Sequence, residues 1–364
     1  MRASILDELE KNFLLQDEYL GNDKPINRIA PLVSVTVVTY QHANYIRECL
    51  DGILSQQTDI SYEIIIGEDG STDGTREICM EYAKKDPDKI RLFLRNRNHS
   101  HYISENKSVM FNSPWTFMSA RGKYIAICEG DDYWIDPCKL EKQLAFMTQY
   151  PNLSMSFHGA RIKFADSNKP SKIFRYYDRR FFSAKEVILG GGAFYPTCSA
   201  LFRRDVIENL PDWYITSPVG DILLPLLAIG KGDVGYIDEV MAVYNSGVSG
   251  SWTQRMRKKD FRQRLDYLLT LETIRNAFNQ YSGFRYTAFL RKKNSLNFRD
   301  ILTETSFDKQ QRKRIYEDLK DRMFPEDKLM VQLHYLLDSL LFLGYGLKLF
   351  RVIRRASDFV SMHR

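Results

Sequence analysis

The chain has 364 residues, 44% hydrophobic and 27% charged, the balance of a soluble globular protein with length for one large domain or two. Its net charge of +6 is uneven: residues 253–364 carry roughly +11 and the rest roughly −5, with no nucleic-acid motif beside that charge, so no nucleic-acid partner is expected and an anionic surface or ligand is. Five cysteines with no C-x-x-C spacing argue against a zinc ribbon or a disulfide framework and predict reduced core thiols in a cytosolic protein.

Residues 1–30 predict a short acidic, amphipathic helix and a linker, without the basic start and apolar run of a secretory leader. "LVSVTVVTY" (32–40) is an apolar, β-branched run, the pattern of a strand buried on both faces of a parallel sheet. "NYIRECLDGILSQ" (44–56) has helical spacing, with Ile46, Leu50, Ile53 and Leu54 on one face. "YEIIIGEDGS" (62–71) predicts a second strand ending in acids and a glycine turn, and "DGTREICMEYAKKD" (73–86) a second helix. A third strand is expected at "IRLFL" (90–94), and a helix broken near Pro114 within 105–122. A fourth strand, "KYIAIC" (123–128), precedes the helix "PCKLEKQLAFMTQY" (137–150).

Strands alternating with helices of this length predict a doubly wound α/β sheet. Ligands of such sheets bind beyond the carboxyl ends of the strands. Three loops fall there: Tyr40–Ala43, Glu68–Asp73 and Glu129–Trp134. Further on, 165–180 is polar and basic and predicts a mobile loop, 190–205 and 219–244 return to strand and helix signals, and 245–259 predicts a flexible closing loop. Residues 260–364 are expected to be helical, and no run reaches the length of a spanning helix.

The chemistry concentrates in the strand-end loops. Glu129 and Asp131 stand two apart with Gly130 between them, hard oxygen ligands suited to Mn2+ or Mg2+ carrying a diphosphate. An isolated E-x-D is usually a solvated turn, but this one follows a buried strand in register with a second acidic strand end. In "GEDGSTDGT" (67–75), Glu68 or Asp69 could accept from a nucleobase N–H, while Ser71 or Asp73 could cap the following helix. The pair in "HSH" (99–101) reads as exposed side chains, and His158 either faces an acceptor or is a satisfied core residue.

Four segments in order carry a resemblance: "VSVTVVTYQHANYIRECLDGILSQ", "EIIIGEDGSTDGT", "ARGKYIAICEGDDYW" and "GDILLPLLAIGKGDVGYIDEVMAVY". Together they resemble family 2 glycosyltransferases of the GT-A fold, of the bacterial O-antigen, capsule or exopolysaccharide type, over about residues 32–250. The resemblance implies an α/β, Rossmann-like, mostly parallel sheet flanked by helices, with a C-terminal helical region. It implies a domain order of 1–30 (N-terminal extension), 31–255 (transferase) and 256–364 (basic helical region). The implied activity is inverting transfer of a hexosyl or N-acetylhexosaminyl group from a nucleotide sugar, commonly UDP-linked. The acceptor would be a saccharide or a polyprenyl-linked saccharide of surface polysaccharide or lipopolysaccharide synthesis.

Residue by residue, the resemblance implies Thr39 and Tyr40 at the nucleotide's edge and Glu68 or Asp69 on the base. It implies Asp131 on the metal, Glu129 near the ribose or metal, and Asp132 beside them in the donor site. Asp221 of "VGD" would be the catalytic base, although an Asp before an apolar helix also serves as an N-cap. Trp134 is expected on the acceptor or donor wall, and Thr197 beside the acceptor. One departure stands out: where many relatives carry a His after the strand matching "VMAVY", this chain reads Asn245, Ser246, Gly247.

The rival readings are a sugar-1-phosphate nucleotidyltransferase, which needs a glycine-rich basic loop that "TYQHANY" lacks, and a non-catalytic membrane-associated scaffold. Residues 330–355 form an apolar stretch with a basic end, expected either at the cytoplasmic face of an anionic membrane or packed on the catalytic domain or a second copy of the chain as a homodimer.

Overall fold

The computed structural model describes residues 5–21, 29–97, 101–104, 107–165, 168–215, 217, 220, 222–248 and 251–339. The expectations for Asp221, for 340–355 and for the centre of the 245–259 loop at 249–250 lie outside these residues. The chain divides into two compact units, Met1–Ser183 with Gly192–Gln254, and Ala184–Gly191 with Arg255–Arg364. The division is not contiguous in sequence, because Ala184–Gly191 leaves the first unit for the second.

The first unit opens with α1 (Ile5–Phe13) and β1 (Asp17–Glu18). The expected alternation follows as β2 (Val33–Thr39), α2 (Ile46–Leu54), β3 (Tyr62–Glu68), α3 (Thr75–Lys85) and β4 (Ile90–Leu94). A small ribbon, β5 (His101–Ser104) and β6 (Lys107–Met110), leads into α4 (Asn112–Met118). Pro114 does not break this helix. It lies in the first turn, where a missing N–H leaves no intrahelical bond unmade. Then come β7 (Tyr124–Ile127), β8 (Tyr133–Trp134), α5 (Lys139–Gln149) and the long β9 (Leu153–Phe164).

Residues 165–180, expected as a mobile loop, contain a strand. β10 (Lys172–Phe174) pairs antiparallel with β9, and β11 (Phe181–Phe182) pairs with the later β13. The aromatic residues decide this: Tyr176 and Phe182 join a cluster with Phe157, Phe194 and Tyr236, which anchors a segment whose described charged residues stay exposed. α6 (Ala184–Gly190), β12 (Leu201–Arg203), α7 (Asp212–Ile215), α8 (Leu224–Ile229) and β13 (Asp233–Ser246) follow. α9 (Trp252–Arg257) occupies the second half of the expected closing loop.

Among the described residues the main sheet runs β1-β4-β3-β2-β7-β12-β9-β13-β11. Strands β4, β3, β2 and β7 are mutually parallel; β12 is antiparallel to both β7 and β9, and β13 is parallel to β9. Val35, Val37, Ile64, Ile66 and Leu92 pack with Ile46, Leu50 and Ile53 of α2 and Leu140 and Met147 of α5 in one buried cluster. From β2 the chain proceeds to β3 and β4 on one side and later returns with β7 on the other. That reversal opens a crevice beyond the carboxyl ends of β2 and β7. The cysteines are free thiols, four of them buried.

The second unit is helical: α10 (Phe261–Tyr281), α11 (Thr287–Leu302), α12 (Lys309–Leu319) and α13 (Pro325–Ser339). Asp260 and Gln263 close a reciprocal capping box at the start of α10. Val331 and Tyr335 pack against Phe298 and Leu302, so the first part of the 330–355 stretch buries an apolar face in its own unit. Leu336 is exposed. Among the described residues no helix is long and apolar enough to cross a membrane.

Candidate active site at the sheet switch point

Backbone pairing carries β2 and β7 into the crevice. Cys128 N–H donates to Thr36 O and Gly130 N–H to Val38 O at 3.0 Å, so the acidic loop is laid along the end of β2. Gly130 is required there by closeness. A Cβ on it would stand 2.6 Å from Thr39 Oγ1 and 3.0 Å from His42 Nδ1. Thr39 is buried, and its Oγ1 lies 3.2 Å from His42 Nδ1. The other ring nitrogen of His42 is 4.0 Å from Asp131 Oδ2.

The 40–43 and 69–75 loops are stitched into one body. Gln41 N–H donates to Ser71 Oγ, His42 N–H to Thr75 Oγ1 at 2.8 Å, and Ala43 N–H to Asp73 Oδ2. The Gln41 side chain and Thr72 exchange two further bonds. Asp73 also accepts from Thr75 N–H at the start of α3. Partial burial works against its charge, but these donors prevail and hold its pKa below the usual carboxylate value.

Glu68 and Asp69 have separate roles. Glu68 is fully buried, accepts from Ser71 N–H at 2.6 Å and pairs with Arg76 Nε at 2.5 Å, so it fixes the loop from beneath. Asp69 is also buried and takes a 2.8 Å bond from Arg97, whose guanidinium lies 3.7 Å from the centre of the Tyr40 ring. Tyr40 is 39% exposed. The result is a ring, a planar cation and a carboxylate at the open end of β2 and β3, a composite surface for a flat, hydrogen-bonding group. Arg97 was missed in the sequence, although it follows the strand at 90–94 on the same edge as the three loops singled out.

The acidic loop holds its charge under strain of burial. Desolvation pushes Asp131 upward, against the opposing pull of His42. Asp132 is pushed well up by burial, reinforced by the charges of Asp131 and Glu129. His42 is lowered by its burial, although Asp131 and Asp73 act the other way. Asp132 does not face the crevice. It is 1% exposed and accepts from Asn245 N–H at 2.7 Å, while the Asn245 side chain donates to Asp131 O at 2.6 Å. Asn245 thus ties the end of β13 to the acidic loop.

Trp134 underlies the loop and lines no open wall. It is 3% exposed, donates to Cys198 O at 2.9 Å and carries Lys139 Nζ 3.9 Å above its ring. The reason is β8 itself, which lays Trp134 on the core face opposite Ala242. Thr197 is half-buried at the start of a short 3-10 turn. His158 is fully buried, its Nδ1 2.7 Å from Gly159 O, and its pKa is held well below the usual value by burial and by Lys139.

Residues 34–210 match the profile described as "Glycosyl transferase family 2". That stretch is a family 2 glycosyltransferase domain. The transferase domain is 35% identical over 227 residues to an uncharacterized protein of Mycobacterium tuberculosis, a match spanning 60% of each chain. It is 34% identical over 142 residues to TuaG of Bacillus subtilis, a protein assigned to teichuronic acid biosynthesis as a glycosyltransferase, covering 39% of this chain and 52% of that one. These curated relatives are therefore matched over about half to 60% of their length.

Among solved structures, S. aureus TarS 1–349 in complex with UDP-GlcNAc superposes with a TM-score of 0.50 at 14% identity, over 83% of this chain and 91% of that one. The mannosyltransferase PcManGT of Pyrobaculum calidifontis, in complex with GDP-Man and Mn2+, gives 0.50 at 17% identity over 99% and 93%. This likeness is one of fold, and the fold of the transferase domain is GT-A.

Proposed function

We propose that the chain is an inverting glycosyltransferase moving a hexosyl or N-acetylhexosaminyl group from a nucleotide diphosphate sugar, UDP-linked in the first instance, to a hydroxyl of a saccharide or lipid-linked saccharide in surface polysaccharide synthesis. The observation carrying this reading is the delivery of Glu129 and Asp131 to the β2/β7 crevice, in a sheet whose neighbouring strand ends hold Tyr40, Arg97 and Asp69. Solved chains of the same fold carry UDP-GlcNAc and GDP-Man.

Among the described residues no group of three His, Cys, Asp or Glu gathers to hold a metal, so the divalent ion of this reading would rely on Asp131, with Glu129 beside it, and on oxygens of the diphosphate itself. Asp131 is a hard oxygen ligand, and among the described residues its one ion-pair partner is the weakly placed His42. Burial raises Asp131, and burial with the repulsion of Asp131 and Glu129 raises Asp132, costs that a cation would relieve. Asp131, with Glu129 beside it, would hold Mn2+ or Mg2+, the former present with PcManGT. Such an ion supplies positive charge to a departing nucleoside diphosphate. Tyr40 and Arg97 would take the base, with Asp69 orienting Arg97, and Thr39 would stand at the nucleotide's edge. Glu68 and Asp132 hold these groups in place. Asp221 would remove the proton of the acceptor hydroxyl, and attack opposite the leaving diphosphate gives inversion.

The test is turnover of a nucleotide-sugar panel with Mn2+ or Mg2+. Asp131→Asn should remove most activity and weaken metal-dependent donor binding while leaving unfolding unchanged. Full turnover by that variant under a metal requirement refutes the assignment, and a wild-type chain that turns over no nucleotide sugar favours the scaffold. Peripheral attachment at the cytoplasmic face through 330–355, of which 340–355 lies outside the described residues, belongs to the same reading. Anionic vesicles should float the full chain at low salt and fail to float one truncated after Ser339.

A further inference from the structure

A row of registered residues crosses four strands beside the acidic loop. Tyr133 of β8 pairs with Val243 of β13, Val243 with Arg161 of β9, and Arg161 with Ile173 of β10. Registered neighbours share one face of a sheet, and alternate residues along a strand return to it. The opposite face of the same strands carries Trp134, Ala242 and Ala160 into the core. The other face presents Arg161, Lys163 and Ile173, all exposed, with Tyr133 half-buried at its end and the buried Val243 and Asn245 of β13 between them. Lys163 registers with Asn245, whose side chain bonds Asp131 O.

The two cations differ from Arg175 and Lys142 nearby. Arg175 is bound to Asp238, and Lys142 to both Asp136 and Glu239. Arg161 and Lys163 have no ion-pair or hydrogen-bond partner among the described residues. They stand two positions apart on one strand, so like charges face the same water without a carboxylate between them. Tyr133 lies two strand spacings from Arg161, about 10 Å, and Asp131 is two residues before Tyr133. The ledge is thus acidic at one end and basic at the other, within the reach of a short saccharide.

We propose that this ledge binds the acceptor and that the acceptor is anionic, with Arg161 and Lys163 taking a carboxylate or phosphate borne on the saccharide while its hydroxyl lies toward the acidic loop. The inference rests on the glycosyltransferase reading and names its acceptor class. Arg161 supplies a planar fork for a carboxylate or phosphate oxygen pair, and Lys163 a second point charge. Tyr133 and Ile173 give the sugar ring apolar contact at either end.

The experiment measures binding of three oligosaccharides of equal length by calorimetry, one carrying hexuronate carboxylates, one phosphodiesters and one uncharged, at low and high salt. At least one anionic probe should bind about 10-fold more tightly than the uncharged one, and salt should weaken it. Which anionic probe wins separates carboxylate from phosphate. Arg161→Ala with Lys163→Ala should erase the preference, and a thermal shift with nucleotide sugar verifies that this double variant is folded. Equal binding of all three probes, a preference that survives the double substitution, or binding of anionic vesicles in place of soluble saccharide would each overturn the proposal. Anionic binding at these residues by a chain that turns over no nucleotide sugar would instead count against the transferase reading alone.

Discussion

Lys139 gives the sharpest test of how the floor of the site is built. Its ammonium is fully buried, bonded to Gln143 Oε1 at 2.6 Å and placed 3.9 Å above the Trp134 ring, with no carboxylate in ion-pair contact among the described residues. Burial pushes its pKa down to about 7, although Cys128, Cys198 and Asp136 pull the other way. An unfolded lysine titrates near 10.4. Between these values the unfolded chain holds the proton and the folded chain does not, so stability rises with pH by up to about 1.4 kcal/mol per unit. Below pH 7 both states are protonated and the whole penalty, about 5 kcal/mol at most, is present.

Lys139→Met keeps the unbranched stem and removes the titration. It also loses the ring contact, about 1–2 kcal/mol, and leaves Gln143 Oε1 without its donor, about 1–3 kcal/mol. At pH 6 the variant should match or exceed the wild type, and by pH 9.5 it should fall below it. The difference between the two proteins should change by about 3 kcal/mol from pH 7 to 9.5. Urea unfolding at each pH reads this directly, because titrations away from Lys139 cancel in the difference and His158, which Lys139 helps to hold well below its usual value, is already neutral across this range. A difference that stays flat over that range would refute the account of Lys139 as a buried, unpaired cation.

Gly130→Ala should destabilise by about 1–3 kcal/mol through overpacking against Thr39 and should lower turnover further than that loss of stability accounts for; normal turnover on urea-matched samples would show that the loop can move without consequence. Arg97→Ala should weaken binding of the donor nucleotide about 10-fold with little change in the unfolding midpoint, and unchanged calorimetric affinity would remove Arg97 from the donor site. Asp221→Asn should lower turnover by a factor of about 10²–10⁴ with donor affinity kept, whereas a variant that only loses stability supports the helix-cap role.

The parallel half of the sheet is legible because its rules are local. Val33–Thr39, Tyr62–Glu68 and Ile90–Leu94 are short apolar runs with helices of matched length between them, and their burial on both faces leaves no second arrangement. The same rule places the loops on one edge, and so finds Tyr40, Asp69 and Asp131 without a structure. It fails for Arg97, which follows β4 on that edge but carries no acid to mark it. Residues 165–180 were unreadable for a different reason. Their charges are local, whereas Phe157 and Tyr236, the rings on which Tyr176 packs, are distant in sequence.

Gly130 shows where the boundary lies. The sequence marks the position as special, and a tight bend between two acids is the natural local explanation. The cause is a contact across the sheet: Thr39 and His42 approach too closely for any Cβ. That contact exists because β2 and β7 pair in parallel although their starts, Val33 and Tyr124, are registered partners 91 positions apart in sequence. The glycine, the buried threonine and the histidine facing Asp131 are therefore one device, with parts drawn from both sides of the switch point. A substitution in any of them should be read as moving the acidic loop, and not as removing a local turn.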